Sequence, residues 1–107
     1  MRIGILGRSE ILLSAAELLY KAGHQITWIA TAPEESYYLA CASDFSDLAQ
    51  TIGCPFFDTS NLDSKQILDE FEKSNTELVI SINWPKVIGS NVCDLFPLGV
   101  FNAHLGD

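Results

Sequence analysis

The sequence has no apolar run approaching the roughly 20 residues that a membrane span needs. Basic residues are scarce too: six Lys and Arg face 14 Asp and Glu, for a formal charge of −8. Tracking phosphates along a nucleic acid requires clustered Lys and Arg to release counterions. Nucleic-acid contact is therefore not expected of this stretch itself. A small anion held by backbone N–H groups is untouched by that argument. Three cysteines, Cys41, Cys54 and Cys93, stand far apart with no C-x-x-C spacing. An odd, scattered set argues against a disulfide framework or a zinc site, and we expect reduced, mostly buried thiols and no metal. The opening residues Met1 to Gly7 hold too short an apolar stretch for a signal peptide and no small-residue cleavage site. A soluble cytoplasmic protein without a membrane partner is expected. Repeats, low-complexity tracts and linkers are lacking as well.

What is present is an ordinary globular mixture, 48% hydrophobic and 19% charged over 107 residues, enough for one small domain. Met1 to Leu6 reads as a strand, with Gly4 and Gly7 permitting close backbone approach. Ser9 to Ala22 places Ile11, Leu12, Ala15, Leu18 and Leu19 at helical spacing, and Gly23 follows as terminator. Gln25 to Ala30 is β-branched and aromatic, hence a second strand whose Trp28 is expected in the core. A loop over 31–43 contains Pro33, Glu34-Glu35 and Tyr37-Tyr38; it reads as a ligand-lining segment or as a solvated flap. A short helix over 44–52 precedes a strand over 55–58. Asp63-Ser64-Lys65-Gln66 resembles a capping box with Asp63 as the cap. It opens a helix to about Ser74 with Ile67, Leu68 and Phe71 inward. Leu78 to Ile82 is a continuous apolar strand, the pattern of a strand covered on both faces. Trp84-Pro85 ends it, a helix is predicted over 86–95, and Val100 to His104 is the last strand. Strands alternating with helices imply an α/β fold: a doubly wound parallel sheet of about five strands, helices on both faces.

In such a sheet, ligands bind beyond the carboxyl ends of the strands, where strand order switches. Gly7-Arg8-Ser9, Thr31, Asp58, Asn83 and Asn102/His104 occupy those ends. Gly4-Ile5-Leu6-Gly7-Arg8-Ser9 has two glycines at the wrong spacing for a dinucleotide fingerprint. It suits an anion at a helix N-terminus, or simply a tight turn with Ser9 as N-cap. Asn102 and His104 are two residues apart, so in an extended strand both side chains face the same way. An amide donor beside an imidazole can stabilise an oxyanion and move a proton, as acyl transfer requires. The same short pattern also occurs for purely structural reasons. His24, after Gly23, reads as a helix-end residue favoured by the dipole.

The segments Met1-Arg2-Ile3-Gly4-Ile5-Leu6-Gly7, Ala22-Gly23-His24-Gln25-Ile26 and Ile80-Ser81-Ile82-Asn83-Trp84-Pro85 carry a wider likeness. So, above all, does Phe96-Pro97-Leu98-Gly99-Val100-Phe101-Asn102-Ala103-His104. With them the chain resembles the amino-terminal half of the folate-dependent formyltransferases: the glycinamide-ribonucleotide, methionyl-tRNA and sugar-nucleotide N-formyltransferases. The resemblance implies a Rossmann-like formyltransferase fold and transfer of a formyl group from 10-formyltetrahydrofolate to an amine. It implies catalytic roles for Asn102 and His104, and folate contact through Asn83, Trp84, Pro85 and Val87. Gly7, Arg8 and Ser9 are the candidate substrate-binding turn. The family's loop after the histidine and its orienting aspartate have no counterpart in Leu105-Gly106-Asp107. Residues 1–107 are therefore expected to be an incomplete amino-terminal domain, inactive or nearly so alone. It is expected to expose apolar surface near the last strand and to self-associate there. Among acceptors, a small amine such as a sugar nucleotide is preferred over methionyl-tRNA. The competing reading is a non-catalytic Rossmann-like nucleotide-binding module. A receiver-like signalling domain would need an acidic cluster after the first strand, where Gly7-Arg8-Ser9 stands instead.

Overall fold

A computed structural model describes residues 1–32, 42–59, 61–82, 84 and 88–103. Five strands alternate with four helices: β1 (Arg2–Gly7), α1 (Glu10–Lys21), β2 (Gln25–Thr31), α2 (Ala42–Ile52), β3 (Phe56–Asp58), α3 (Lys65–Lys73), β4 (Leu78–Ile82), α4 (Ser90–Cys93) and β5 (Val100–Ala103). The strands form one sheet in the order β3-β2-β1-β4-β5, with every pairing parallel. The expected α/β Rossmann-like fold is thus the observed one. Strand order reverses between β1 and β4, so the topological switch lies at their carboxyl ends.

Alternation along the strands builds two cores, one on each face of the sheet. Ile3, Ile5, Ile26 and Ile29 pack against Leu12 and Ala16 of α1 and Phe45 and Ala49 of α2. On the other face Leu6, Trp28, Ala30 and Val79 pack against Ile67 and Phe71 of α3 and Val92 of α4. Trp28 is buried, as expected, and stacks on Phe71 with ring centroids 4.1 Å apart. Only a glycine at position 4 leaves room for that indole, since a Cβ there would lie 2.5 Å from its ring.

Local chemistry sets several boundaries differently from the sequence pattern. Ser64, not Asp63, caps α3: its hydroxyl accepts from the Ile67 N–H at 3.3 Å. Asp63 is drawn into a turn because its N–H donates to Asn61 Oδ1 at 3.1 Å, which leaves the extended cap position to Ser64. The helix predicted over 86–95 is observed only as Ser90–Cys93, with residues 86–87 outside the described set. Gly89 holds an extended backbone and offers no side-chain cap, so the helix cannot start earlier than Ser90. β4 is apolar except for Ser81, yet Leu78 and Ile80 are only half-buried. Phe101 and Leu98 are 66% and 57% exposed, so the expected apolar surface near the last strand is present at the sheet edge. Ile11 and Leu18 also face outward, since the buried side of α1 is the one carrying Leu12 and Ala16. Among the described residues no helix is long and apolar enough to cross a membrane.

Candidate functional site

The turn after β1 is clamped to the end of β4. Gly7 holds φ +134°, and a Cβ on it would lie 2.1 Å from the Ile82 carbonyl oxygen. The next N–H, that of Arg8, donates to the same carbonyl at 3.2 Å. Ser9 holds φ 109°, a conformation a non-glycine residue rarely adopts, and such strain concentrates at functional turns. Its hydroxyl accepts from the Leu12 N–H at 3.4 Å and caps α1. Arg8 and Ser9 are both buried. The first of the three candidate segments therefore lies at the switch point, with the Ser9 hydroxyl occupied in helix capping.

β4 and β5 bring the last candidate to the same edge. Ser81 pairs with Leu6 on one side and Asn102 on the other, and Ile82 pairs with Gly7 and Ala103. Asn102 is exposed. It stands two strands from the Gly7 row, about 10 Å away at ordinary strand spacing. Trp84 follows β4 with its side chain in the core beside Val92 and Phe96, 3% exposed. If Trp84 meets a ligand, it does so through its backbone. His104, Asn83, Pro85 and Val87 lie outside the described residues.

One feature of this edge, the buried Ser81, escaped the sequence pattern, while Thr31 was read there as a strand-end residue. The Ser81 and Thr31 hydroxyls are buried and lack a hydrogen-bond partner among the described residues. Thr31 ends β2; Ser81 sits inside an otherwise apolar strand, and that misplaced hydroxyl was the available signal. Buried polar groups are ordinarily satisfied, so these two hydroxyls are exceptions in the strand ends. A separate cleft of about 190 Å³ is bounded by Thr27, Trp28, Pro55, Phe57, Glu70, Lys73 and Ser74. It opens beside α3, away from the Gly7 and Asn102 row. Among the described residues, no group of three or more His, Cys, Asp or Glu side chains is placed to hold a metal.

No family model matches the chain. It is similar to methionyl-tRNA formyltransferases from Akkermansia muciniphila and Thermotoga maritima, each 23% identical over 97% of this chain. The enzyme of the same name from Herpetosiphon aurantiacus is 25% identical over the same share. The chain spans about a third of the length of these curated relatives: 34%, 34% and 35%. Across nearly its whole length the chain is thus distantly similar to formyltransferases.

Proposed function

We propose that this chain is the amino-terminal part of a formyltransferase that moves a formyl group from 10-formyltetrahydrofolate to an amine in the cytoplasm. The observation that supports the reading most is the placement of Asn102. It is an exposed amide one register row from the end of β5, beside the β1–β4 switch. The donor supplies a formyl carbon bonded to a folate nitrogen. Transfer breaks that bond, joins the carbon to the acceptor amine, and exchanges one proton between the two nitrogens. Asn102 Nδ2–H donates to the formyl oxygen as negative charge builds on it, the role in which a preorganised donor contributes most. His104 carries the proton from the attacking amine toward the departing nitrogen. Asn83, Trp84, Pro85 and Val87 hold the folate through their backbone, and Gly7, Arg8 and Ser9 line the acceptor side. The Ser81 and Thr31 hydroxyls, unpartnered among the described residues, are compatible with a polar ligand at this edge.

The relatives' names favour methionyl-tRNA as the acceptor. No relative found supports the small sugar amine preferred on the sequence. The relatives are about three times as long as this chain, and with a net charge of −8 it is poorly suited to gripping RNA by itself. We place the orienting carboxylate and most of the tRNA contacts in the part of the relatives beyond the matched third. The chain alone is then expected to bind a reduced-folate analogue but to transfer formyl groups at or near background.

Titration with such an analogue, followed by tryptophan fluorescence, tests the reading. A saturable change that disappears in Trp84→Phe supports it. Binding of a nucleotide, with no response to the folate, would favour the non-catalytic module instead. Sustained turnover with methionyl-tRNA would overturn the claim that the chain is catalytically incomplete.

A further inference from the structure

We propose that the cleft beside α3 is a binding site for a small organic cation, a primary ammonium group carried on a single aromatic ring. Nothing in this depends on the formyl-transfer reading, because the cleft lies at the other end of the sheet from Asn102. Thr27 stands early in β2, and Ser74 follows α3, whose carboxyl end returns to where β4 begins.

Backbone pairing opens the space. β3 pairs only with Ile29–Thr31, so the first half of β2 has no strand on that side among the described residues. There the register of β2 against β1 slips by one residue. Ile26 pairs with Ile3 and Trp28 with Gly4, which leaves Thr27 as the extra residue of a bulge. Bulges re-aim side chains beside functional sites. Thr27 lines the cleft, and its hydroxyl reaches the Ile3 carbonyl at 3.3 Å and Thr76 Oγ1 at 2.6 Å.

The second element is a cluster of hydroxyls with no proton to spare. The buried Thr76 Oγ1 lies 2.6 Å from both Thr27 Oγ1 and Ser74 Oγ, and the Ser74 hydroxyl donates to the Phe71 carbonyl at 2.6 Å. Together with the Thr27 to Ile3 bond, these hydrogen bonds call for one proton more than three hydroxyls possess. Each hydroxyl oxygen has two lone pairs, and Thr76 fills at most one on either neighbour. Thr27 and Ser74 therefore meet the cleft as acceptors. Glu70 adds a carboxylate with no ion-pair partner among the described residues. The negative pole of α3 lies here too. All of these favour an N–H donor that carries positive charge, and the net charge of −8 draws cations toward the surface. Lys73 on the rim opposes this, but its flexible stem lets the ammonium move out into water.

Size and wall chemistry set the rest of the ligand. The cleft holds about 190 Å³, and a cavity of about 150 Å³ already accepts benzene, so one ring fits. Pro55, Phe57 and the nearly buried Trp28 supply its apolar wall. The Trp28 indole N–H is shielded from solvent, so it does not offset the excess of acceptors.

The test titrates ¹⁵N-labelled full chain at pH 7 with benzylamine, benzyl alcohol and benzoate, which put a cation, a neutral hydroxyl and an anion on the same ring. Benzylamine should give saturable shifts confined to the amides of Thr27, Phe57, Lys73 and Ser74 and the indole N–H of Trp28. Benzyl alcohol should bind more weakly, and benzoate should leave these peaks in place. Glu70→Gln should weaken benzylamine binding about tenfold, the factor for one charge-assisted hydrogen bond. Lys73→Gln should tighten it about twofold. Thr27→Val should weaken it about fivefold, and Thr27→Ser should restore it. In each variant, amide peaks remote from the cleft that stay in place show that the fold is intact. If the cleft peaks answer to benzoate rather than benzylamine, to all three probes alike, or to none, the proposal is overturned. Unchanged benzylamine affinity in Glu70→Gln overturns it equally. The transferase reading is judged separately, by whether a reduced-folate analogue shifts the amides near Gly7 and Asn102.

Discussion

Replacing Gly7 by alanine isolates the contact that joins the β1–α1 turn to the end of β4. Two costs combine. At φ +134° an L-residue is strained by about 1–3 kcal/mol. The added Cβ would also sit 2.1 Å from the Ile82 carbonyl oxygen, and a backbone atom cannot rotate away as a side chain can. The turn must lift off β4, which breaks the Arg8 N–H to Ile82 hydrogen bond at a net cost of about 1 kcal/mol. The sum is about 2–4 kcal/mol, a large part of the roughly 5–15 kcal/mol that stabilises a domain of this size. Gly23→Ala is the internal control. Gly23 has a comparable φ of +97° but nothing within 4 Å of an added Cβ, so it should lose only the same strain, about 1–3 kcal/mol, and none of the cost of the broken hydrogen bond. Urea unfolding followed by circular dichroism gives both values, with unchanged m-values as the check that the unfolded state is the same. If Gly7→Ala proves no more destabilising than Gly23→Ala, the clamp between the two strand ends has no energetic content and the reasoning fails.

Three further outcomes follow from local chemistry. Ser64→Ala should destabilise the protein by about 1 kcal/mol through loss of the α3 cap, and Asp63→Ala by clearly less; equal values in urea titrations would restore Asp63 as the cap. The Arg2 backbone N–H donates to Glu77 Oε1 at 2.8 Å and holds its carboxyl below the usual value of 4.5. A depressed folded value means the stabilisation is present above pH 4.5 and is lost as pH falls through the lowered titration. Glu77→Gln should therefore flatten the acid limb of the stability curve below that pH, and an unchanged limb would contradict this. Burial pushes the Cys54 thiol up to about 11 from 9.0. At pH 8 its thiolate fraction should be roughly a hundredth of that of an ordinary thiol. Mass-mapped iodoacetamide labelling should find Cys54 slow to react, and rapid labelling would refute its burial.

Most of the element order was readable because apolar periodicity and terminating glycines are local signals. Leu78–Ile82 needed nothing more than five consecutive residues, and Ser9 announced itself as a cap by its place before an apolar repeat. The failures lie where neighbouring residues compete. Asp63 and Ser64 are both good caps, and the choice fell to Asn61, whose side chain captured the Asp63 N–H first. The helix predicted over 86–95 shrank because apolar spacing carried no weight for the backbone of Gly89. At the candidate site, Asn102 was legible as a polar residue ending a strand, and the structure exposes it there. Ser81 was not legible, since one serine among isoleucines looks like tolerated polarity until its burial and its register partner are known.

From sequence alone came the alternation of strand and helix, the acidic surface, and the candidate residues at strand ends, because each depends on residues close together in the chain. Tertiary structure alone decided that β4 lies beside β1, that Gly7 and Ile82 share a contact with no space between them, and that Ser81 and Asn102 stand side by side. Those are pairings across 75 and 21 positions, and no local pattern encodes which strand a strand will choose. The choice is made by both faces of the sheet burying their apolar side chains at once, which is a property of the whole fold.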